Sequence, residues 1–166
     1  MAVRRPSMLI GAALLIAACV ACDRGTKSAA AQLRGEPPVS YAGGTMTLSY
    51  AENRGVMLSL GAGLPERTRF LLFTAGVGVL LAGIAGFLLF SPGLTRSHVA
   101  ALSLILAGGG SNLYDRLSHD GRVVDFVTLG AGGIRTGIFN LADLAIIAGA
   151  SLLAITMFRQ QRAEKS

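Results

Sequence analysis

The chain has 166 residues, which is enough for a single domain. Apolar residues make up 52% of it and charged residues only 14%, whereas ordinary soluble domains carry roughly 25% charged residues. The formal net charge is +6, but the basic residues are scattered and few aromatic residues accompany them, which argues against a nucleic-acid-binding surface. With a mean hydropathy of +0.57, a membrane protein with basic ends is the simplest interpretation.

Four apolar blocks follow one another along the chain, and we predict that each crosses the membrane as a helix: residues 8–27, 70–90, 97–114 and 138–158. A bilayer core of about 30 Å needs about 20 helical residues, so the second and fourth blocks are long enough alone. The first and third are short and need their polar flanks, which are tolerated where they face protein or water. We treat the four spans as one domain, residues 1–166.

An even number of spans places both termini on one side of the membrane. Lysine and arginine are numerous on both sides of this arrangement, so the positive-inside rule does not settle the orientation. The short, acid-poor segments at the two ends and around Arg96 favour a cytoplasmic N-terminus. Residues 28–69 and 115–137 would then lie together on the opposite, extracytoplasmic side.

Each of these two segments contains β-prone sequence. "VSYAGGTMTLSY", residues 39–50, has a Gly-Gly turn between two such stretches and predicts a short hairpin. "GRVVDFVTLGAGGIRTG", residues 121–137, predicts a strand and a glycine-rich turn. Because both segments lie on one side, we expect them to form one small sheet against the membrane.

The first apolar block contains a stretch typical of a bacterial lipoprotein signal peptide. "IAAC" ends at Cys19 behind a basic start and an apolar core, which is the pattern of such a signal. A mature lipoprotein is usually soluble, yet three more apolar blocks follow here. We therefore interpret the block as a retained helix whose small residues allow close packing, and a lipoprotein precursor anchored through Cys19 is the alternative.

Cys19 and Cys22 are three residues apart within this block. In a helix that spacing is more typical of small apolar residues than of a disulfide or half of a zinc site. The sequence has no Cys or His cluster that would complete such a site, so we predict neither a metal nor another cofactor.

Polar residues are costly at membrane depth, so their positions are informative. Asp23 and Lys27 are four residues apart on one face of the first helix, either as a surface ion pair or as a structural pair that fixes this helix near a site. Asn53 and Gly55 follow a predicted strand and are typical of a turn.

Two further groups of polar residues lie at the ends of the third and fourth spans. Asn112 and Arg116 share a helical face near Asp115, which is typical of a helix end with its own ion pair. Asn140 and Asp143 begin the fourth span. Asn140 suits an N-cap better than Asp143 does, so capping does not account for the carboxylate of Asp143.

Asp125 lies between apolar neighbours in "VVDF", where a strand would leave it half buried. It could meet Asp143 at the membrane surface, and two adjacent carboxylates share one proton because they cannot both ionise easily. The ionised member can take a proton from water while the other donates to a peptide carbonyl, which is aspartic-protease chemistry. The spacing permits this pairing without demonstrating it.

The motifs, taken in order, resemble those of the lipoprotein signal peptidases (signal peptidase II), integral membrane aspartyl peptidases of bacteria. "DRGTK" is similar to the family's Asp-x-x-x-Lys, "NRGVMLS" to Asn-x-Gly-x-x-Phe-Ser, and "NLYDRL" to Asn-Leu-x-Asp-Arg-Leu. "VVDF" and "FNLAD" resemble the two blocks that carry the family's catalytic aspartates. Five such motifs in this order are a specific signature.

The resemblance implies that Asp125 and Asp143 are the catalytic pair and that Asp115 is not catalytic. It also implies that a further set of residues binds substrate or supports the site: Asp23, Lys27, Asn53, Gly55, Gly108, Asn112, Arg116 and Asn140. Two departures from the family's pattern, Leu58 for Phe and Ser111 for a glycine, leave the catalytic blocks intact.

The implied fold is a membrane all-α four-helix transmembrane bundle with a small extracytoplasmic β-cradle. The implied substrate is a prolipoprotein that already carries diacylglyceryl on its lipobox cysteine and is cut just before that cysteine. We expect a monomer in the bacterial inner membrane, in contact with membrane lipid, with both termini in the cytoplasm, no nucleic-acid partner and no metal.

A small transporter that uses Asp143 and Arg116 as an ion relay is a competing hypothesis. It predicts polar residues spread along several spans at mid-depth, whereas here they cluster towards one membrane face, which favours surface chemistry.

Overall fold

The computed structural model describes residues 4–55, 61, 63–131 and 133–164. Its long helices are α1 (Arg4–Ala31), α4 (Arg96–Ser118) and α5 (Leu141–Glu164). A fourth long helix is built from α2 (Glu66–Arg69), a π-helical stretch (Phe70–Gly76) and α3 (Val77–Phe90), which run on without a break.

A helix covers each predicted span, although α5 begins at Leu141 rather than at 138. Three helical segments within the described residues are long and apolar enough to cross a membrane: Arg5–Ala31, Glu66–Phe90 and Leu141–Ala163. Large apolar side chains are exposed on all three, among them Leu14, Leu80 and Ile147. The segment predicted as the third span, in α4, is not among these three.

The polar character of α4 follows from its central position in the fold. It packs against α1, α3 and α5, and it buries Ser103, Ser111, Asn112, Asp115 and Arg116 together with its apolar residues. A helix surrounded by other helices does not need an apolar surface towards lipid, so polar groups are tolerated if they find partners in the protein.

Two glycines allow α4 and α5 to approach closely. A Cβ atom at Gly108 would collide with the carbonyl oxygen of Ala142 and would lie 2.8 Å from Cγ1 of Ile146. A Cβ at Gly149 would lie 2.7 Å from the carbonyl oxygen of Ala101. Small residues at a helix crossing let backbones pack directly in this way, so Gly108 supports the start of α5.

The predicted hairpin is confirmed. Strand β1 (Val39–Tyr41) pairs antiparallel with β2 (Met46–Asn53). The turn between them is a short 3-10 helix, Ala42–Gly44, in which Gly43 and Gly44 have φ of 65° and 87°, a left-handed conformation that glycine adopts without strain.

The second β-prone segment joins the same sheet, as predicted. It forms β3 (Val123–Ala131), which pairs antiparallel with β2, and β4 (Ile134–Arg135), which follows the glycine-rich turn. The strand order is β1-β2-β3-β4. The buried first half of β3 carries Asp125 opposite Ala51 on β2.

A short bridge connects the sheet to α5. Phe139, just before the helix, exchanges backbone hydrogen bonds of 2.9 Å with Val127 on β3, and its carbonyl also accepts from the N–H of Phe126 at 3.0 Å. This pairing fixes Asn140, the next residue, beside Asp125.

Candidate active site

Asp125 lies on β3 with only 2% of its surface exposed. Its carboxylate accepts two side-chain hydrogen bonds: from Nδ2 of Asn53 at 2.9 Å and from Nδ2 of Asn140 at 2.6 Å. The sequence predicted a half-buried side chain, and the structure buries it completely, because the end of β2, the start of α5 and α4 enclose this part of β3.

Asp143 lies in the first turn of α5 and accepts a hydrogen bond from Nδ2 of Asn112 at 2.9 Å. Its carboxylate also accepts from the backbone N–H of Asn140 at 3.2 Å, and its own N–H donates to Oδ1 of Asn140 at 2.9 Å. This reciprocal arrangement is a capping box. Asn140 is the N-cap as expected, but the Asp143 carboxylate also takes part in capping, contrary to the prediction.

Asn140 brings the two aspartates together. Its side chain is fully buried, with Nδ2 bonded to Asp125 and its backbone N–H bonded to Asp143. The same Nδ2 lies 3.2 Å from Oδ1 of Asn112 and 3.3 Å from the carbonyl oxygen of Val124. Two carboxylates, one from the sheet and one from α5, thus flank a single asparagine.

Burial raises the pKa of Asp125 from 3.8 to about 6. The hydrogen bonds from Asn53 and Asn140 favour the charged carboxylate and oppose this rise, whereas the neighbouring Asp143 adds to it by repulsion. A carboxyl group with this pKa exchanges its proton near neutral pH, as a general acid or base must.

The open question about Asp23 and Lys27 is settled in favour of a structural pair. Both side chains are 2% exposed, and the Lys27 Nζ lies 2.7 Å from an Asp23 oxygen. Lys27 also lies 2.7 Å from an oxygen of Asp115 and donates to Oδ1 of Asn112 at 2.9 Å. The ammonium group therefore ties α1 to α4 directly beside the amide that holds Asp143.

Ser111, a departure from the family's motif, takes part in the same network. Its hydroxyl donates to Oδ2 of Asp23 at 2.5 Å, while Oδ1 of Asp23 accepts from the backbone N–H of Ala142 at 2.8 Å. Asp23 thus receives bonds from α4 and from the first turn of α5. This role of Ser111 was not predicted, and its signal in the sequence is a hydroxyl directly before Asn112 in a helix that is otherwise rich in glycine.

Asp115 is fully buried and pairs with Arg24 as well as Lys27. The sequence predicted a helix end with its own ion pair. Asp115 is indeed in an ion pair, but its cations come from α1 and not from α4, and no role was predicted for Arg24. Its guanidinium group stacks over the Tyr114 ring, 4.7 Å from the centroid. Asp115 is therefore occupied by two cations from α1.

Asn53, Gly55 and Arg116 form one corner of the site. Oδ1 of Asn53 accepts from the N–H of Gly55 at 2.8 Å, so the predicted turn is present, and the same side chain binds Asp125. Arg116 donates to the carbonyl oxygen of Gly55 at 2.9 Å and holds this turn against α4. Leu58, the other departure, lies outside the described residues.

The ten residues singled out from the sequence thus form one connected cluster around the start of α5. Six of them are polar side chains around Asp125 and Asp143. Asn53, Asn112 and Asn140 bond to one of the two aspartates directly. Lys27 and Arg116 bond to Asn112, and Asp23 bonds to Lys27. Gly55 and Gly108 shape the backbone around them. Within the described ranges, no group of three or more His, Cys, Asp and Glu side chains is arranged to hold a metal ion.

Comparison with known proteins gives a consistent result. The chain is 37% identical over 121 residues to the lipoprotein signal peptidase of Solibacter usitatus, covering 72% of each chain. It is 34% identical over 122 residues to that of Escherichia coli K12, covering 73% of each, and 41% identical over 113 residues to that of a Methylobacterium species, covering 68% of this chain and 66% of the relative.

Two solved structures of bacterial membrane enzymes share the fold. One superimposes with a TM-score of 0.76 at 21% identity, covering 91% of this chain and 89% of the other. The second has a TM-score of 0.70 at 22% identity, covering 89% and 92%.

The sequence model of the signal peptidase (SPase) II family matches residues 15–159. This range includes Cys19 and the rest of the apolar block after it, so the stretch typical of a lipoprotein signal is part of the matched domain. With nearly the whole chain matched, and with curated relatives that share more than a third of its residues over most of their length, this protein belongs to the signal peptidase II family.

Proposed function

We propose that this protein is an aspartic endopeptidase that removes signal peptides from bacterial prolipoproteins by cutting just before the lipidated cysteine. The observation that carries the proposal is the pair of buried carboxylates, Asp125 and Asp143, joined by hydrogen bonds to Asn140. The names of the relatives supply the substrate class.

The proposed reaction is an attack of water on the scissile peptide carbonyl. One aspartate is ionised and takes a proton from water, while the other is protonated and donates to the carbonyl oxygen. Collapse of the resulting gem-diol breaks the C–N bond, the leaving nitrogen takes one proton, and the pair again holds a single proton. The pKa of about 6 for Asp125 suits a group that holds a proton in one step and releases it in the next.

The surrounding amides keep the two carboxylates in place. Asn53 and Asn140 fix both oxygens of Asp125, and Asn112 fixes Oδ1 of Asp143. Rotation of either carboxyl group would break these bonds, so the pair is ready before substrate binds. Preorganised polar groups in a buried site contribute strongly to catalysis because they need no reorganisation during the reaction.

An apolar cavity supports the entry of a lipidated substrate from the bilayer. It has a volume of about 400 Å³, lies between α1, α4 and α5, and is lined by Cys19, Cys22, Leu104, Leu141 and Leu144. Leu141 and Leu144 flank the first turn of α5, which carries Asp143. We propose that an acyl chain of the diacylglyceryl group occupies this cavity, because acyl chains gain about 0.8 kcal/mol per CH₂ buried.

The proposed topology has four spans, with α4 as the protein-enclosed third span, and both termini in the cytoplasm. The catalytic pair and the sheet would then lie at the extracytoplasmic face of the inner membrane. We propose that the protein acts there as a monomer.

The test is cleavage of a purified diacylglyceryl prolipoprotein by the detergent-solubilised enzyme, followed by gel shift. Asp125→Asn and Asp143→Asn should each lower the rate by at least about 10³-fold, since an amide cannot share the proton. Asp120→Asn is the matched control, because Asp120 is exposed and has φ of 51°, which asparagine tolerates. Wild-type rates in either catalytic variant would refute the pair.

Asp115→Asn tests whether Asp125 on β3, and not the buried Asp115 on α4, is the catalytic aspartate. Asp115 is paired with Arg24 and Lys27, so its neutral variant should retain part of the activity. A loss as complete as that of Asp125→Asn would show that the catalytic aspartate was chosen wrongly.

A further inference from the structure

A polar cavity, separate from the carboxylate pair and from the apolar cavity described above, lies between the C-terminal parts of α1 and α4 and the strands β2 and β3. Its volume is about 340 Å³. We call it the basic groove and define it by the side chains that give it its chemistry: Arg24, Lys27, Ser28, Arg34, Tyr50 and His119. None of the described residues that line it carries a carboxylate.

The carboxylates behind the basic groove are shared among a larger number of cations. Asp115 is shared by Arg24 and Lys27, and Asp23 also pairs with Lys27. Glu52 is shared by Arg34 and Arg122. Counting Arg122 beside the groove, four cations share three carboxylates, so this network of ion pairs carries a net charge of +1.

The two arginines of the basic groove are held in place by aromatic rings. Arg24 stacks over Tyr114, and Arg34 stacks over Tyr50 at 4.8 Å from the centroid. Each uses one terminal nitrogen in an ion pair, Nη1 in Arg24 and Nη2 in Arg34. Among the described residues the other terminal nitrogen makes no hydrogen bond, so it can donate to a ligand. Fixed guanidinium groups of this kind match the oxygens of phosphate.

The remaining lining completes an anion site. Lys27 is buried and bonded to three oxygens. It therefore contributes its positive charge to the groove but no hydrogen bond to a ligand. Ser28 and His119 are exposed at the groove and can donate hydrogen bonds from a hydroxyl and a ring nitrogen.

We propose that the basic groove binds the phosphate group of an anionic membrane lipid. In the proposed topology it lies where α1 and α4 reach the extracytoplasmic membrane surface, and the exposed ring of Tyr114 lies at its edge, as tyrosines do at bilayer interfaces. The proposal also gives a role to three of the basic residues on this side, Arg24, Lys27 and Arg34. It uses the topology of the proposed function but no part of its catalytic mechanism.

The test is native mass spectrometry of the full chain in detergent, with phosphatidylglycerol and phosphatidylcholine added in separate titrations. The wild type should bind phosphatidylglycerol about tenfold more tightly, because phosphatidylcholine carries its own cation. Arg34→Gln should lose about tenfold in affinity for phosphatidylglycerol, the effect of one charged hydrogen bond. Arg34 is exposed, so this variant should fold normally, which its melting temperature in detergent checks.

Arg67→Gln is the matched control, since it removes one exposed positive charge outside the basic groove. It should bind phosphatidylglycerol within about twofold of the wild type. If Arg34→Gln and Arg67→Gln lost the same affinity for phosphatidylglycerol, the lipid would be attracted by the overall positive charge of the protein and not by the basic groove. That result would overturn the proposal. Equal binding of the two lipids by the wild type would also overturn it.

Inorganic phosphate distinguishes a lipid from a soluble ligand. Millimolar phosphate should compete with phosphatidylglycerol in the wild type, because both present the same group to Arg24 and Arg34. If phosphate raises the melting temperature of the wild type but not of Arg34→Gln, while neither lipid binds preferentially, the groove takes a soluble phosphate and the lipid assignment is wrong.

Discussion

The carboxylate of Asp23 on α1 accepts a hydrogen bond of 2.8 Å from the backbone N–H of Ala142, in the first turn of α5. The first N–H groups of a helix have no partner within the helix, and the helix dipole favours a negative charge at this end. Asp23 therefore caps a helix that begins more than a hundred residues later in the chain. Its bond is to the residue directly before Asp143, so it helps to fix one member of the proposed catalytic pair.

Asp23→Asn should lower cleavage by about 10- to 100-fold with the Michaelis constant nearly unchanged. The amide keeps an oxygen for Ala142 but presents an NH₂ group where Lys27 and Ser111 now bind, so Asp143 should lose its fixed position. The check is steady-state kinetics on the lipidated precursor, with the melting temperature measured in parallel.

Ser111→Ala is the milder companion to this variant. It removes one hydrogen bond and leaves Asp23 bonded to Lys27 and Ala142, so the expected cost is about 1 kcal/mol of stability and less than tenfold in rate.

Full wild-type kinetics in Asp23→Asn would show that α5 is held in place without the contact between Asp23 and Ala142.

The parts of this structure that depend on local patterns were predictable from the sequence. The helices follow the apolar blocks, and the β1–β2 hairpin follows a Gly-Gly turn between β-prone stretches. The pairing of β2 with β3 agrees with the expectation that the two segments, separated by two predicted spans, come together on one side.

The contacts that define the site are long-range, and spacing alone does not reveal them. Asp23 and Lys27 have the same four-residue spacing whether they are exposed or buried, and only the packing of α1 against α4 decides between these outcomes. The motif order identified the residues. Their links to one another, such as Asn140 between two carboxylates, depend on how the sheet meets α5.

Asp125→Asn should change how stability depends on pH. The folded protein raises the pKa of Asp125 from 3.8 to about 6, so the folded state holds this proton more tightly than the unfolded chain. The resulting stabilisation is fully present below pH about 4 and is lost as the pH rises through about 6. Asparagine does not ionise, so the variant should gain up to about 3 kcal/mol relative to the wild type between pH 4 and pH 8.

Unfolding in detergent at the two pH values checks this expectation, and taking the difference removes any loss that is independent of pH. One such loss is expected, because asparagine offers a single oxygen to the amides of Asn53 and Asn140. If the stabilities of the wild type and the variant changed with pH in parallel, the raised pKa of Asp125 would be contradicted.

Gly108→Ala should destabilise the protein by about 1–3 kcal/mol, because the new methyl group would collide with the backbone of α5 at Ala142. Gly110→Ala, two positions along the same helix, is the matched control. A Cβ there meets no atom within 4 Å, and alanine is a better helix former than glycine by about 1 kcal/mol. The measurement is the unfolding curve of each variant in detergent. Equal stabilities of Gly108→Ala and Gly110→Ala would show that α4 and α5 do not need this close approach.

Cys19→Ala should preserve both membrane insertion and peptidase activity. A thiol has no part in the proton-sharing mechanism, and Cys19 is a free, partly buried residue that lines the apolar cavity between α1, α4 and α5. Alanine keeps this lining small and apolar. Membrane fractionation and the gel-shift assay measure the two properties, and a mature protein that begins with a lipidated Cys19 would instead support the lipoprotein interpretation.

The lipid on the substrate should determine the rate of cleavage as well as its location. If an acyl chain occupies the cavity beside Leu141 and Leu144, it places the peptide bond that precedes the lipidated cysteine next to Asp143. The same precursor without diacylglyceryl lacks this anchor, so it should be cut very slowly even at high concentration. EDTA should not slow cleavage of the lipidated form, because the two carboxylates supply the acid and the base.

Parallel gel-shift time courses on the two precursors, with and without EDTA, separate these expectations. Equal rates on both precursors would refute entry guided by the lipid while leaving the aspartate pair untouched. Loss of activity in EDTA that returns with added divalent cation would refute the metal-free reaction and leave the lipid requirement standing. Without the lipid, the scissile peptide bond is not positioned beside the carboxylates. Raising the concentration of the unlipidated precursor should therefore not bring its cleavage rate up to that of the lipidated precursor.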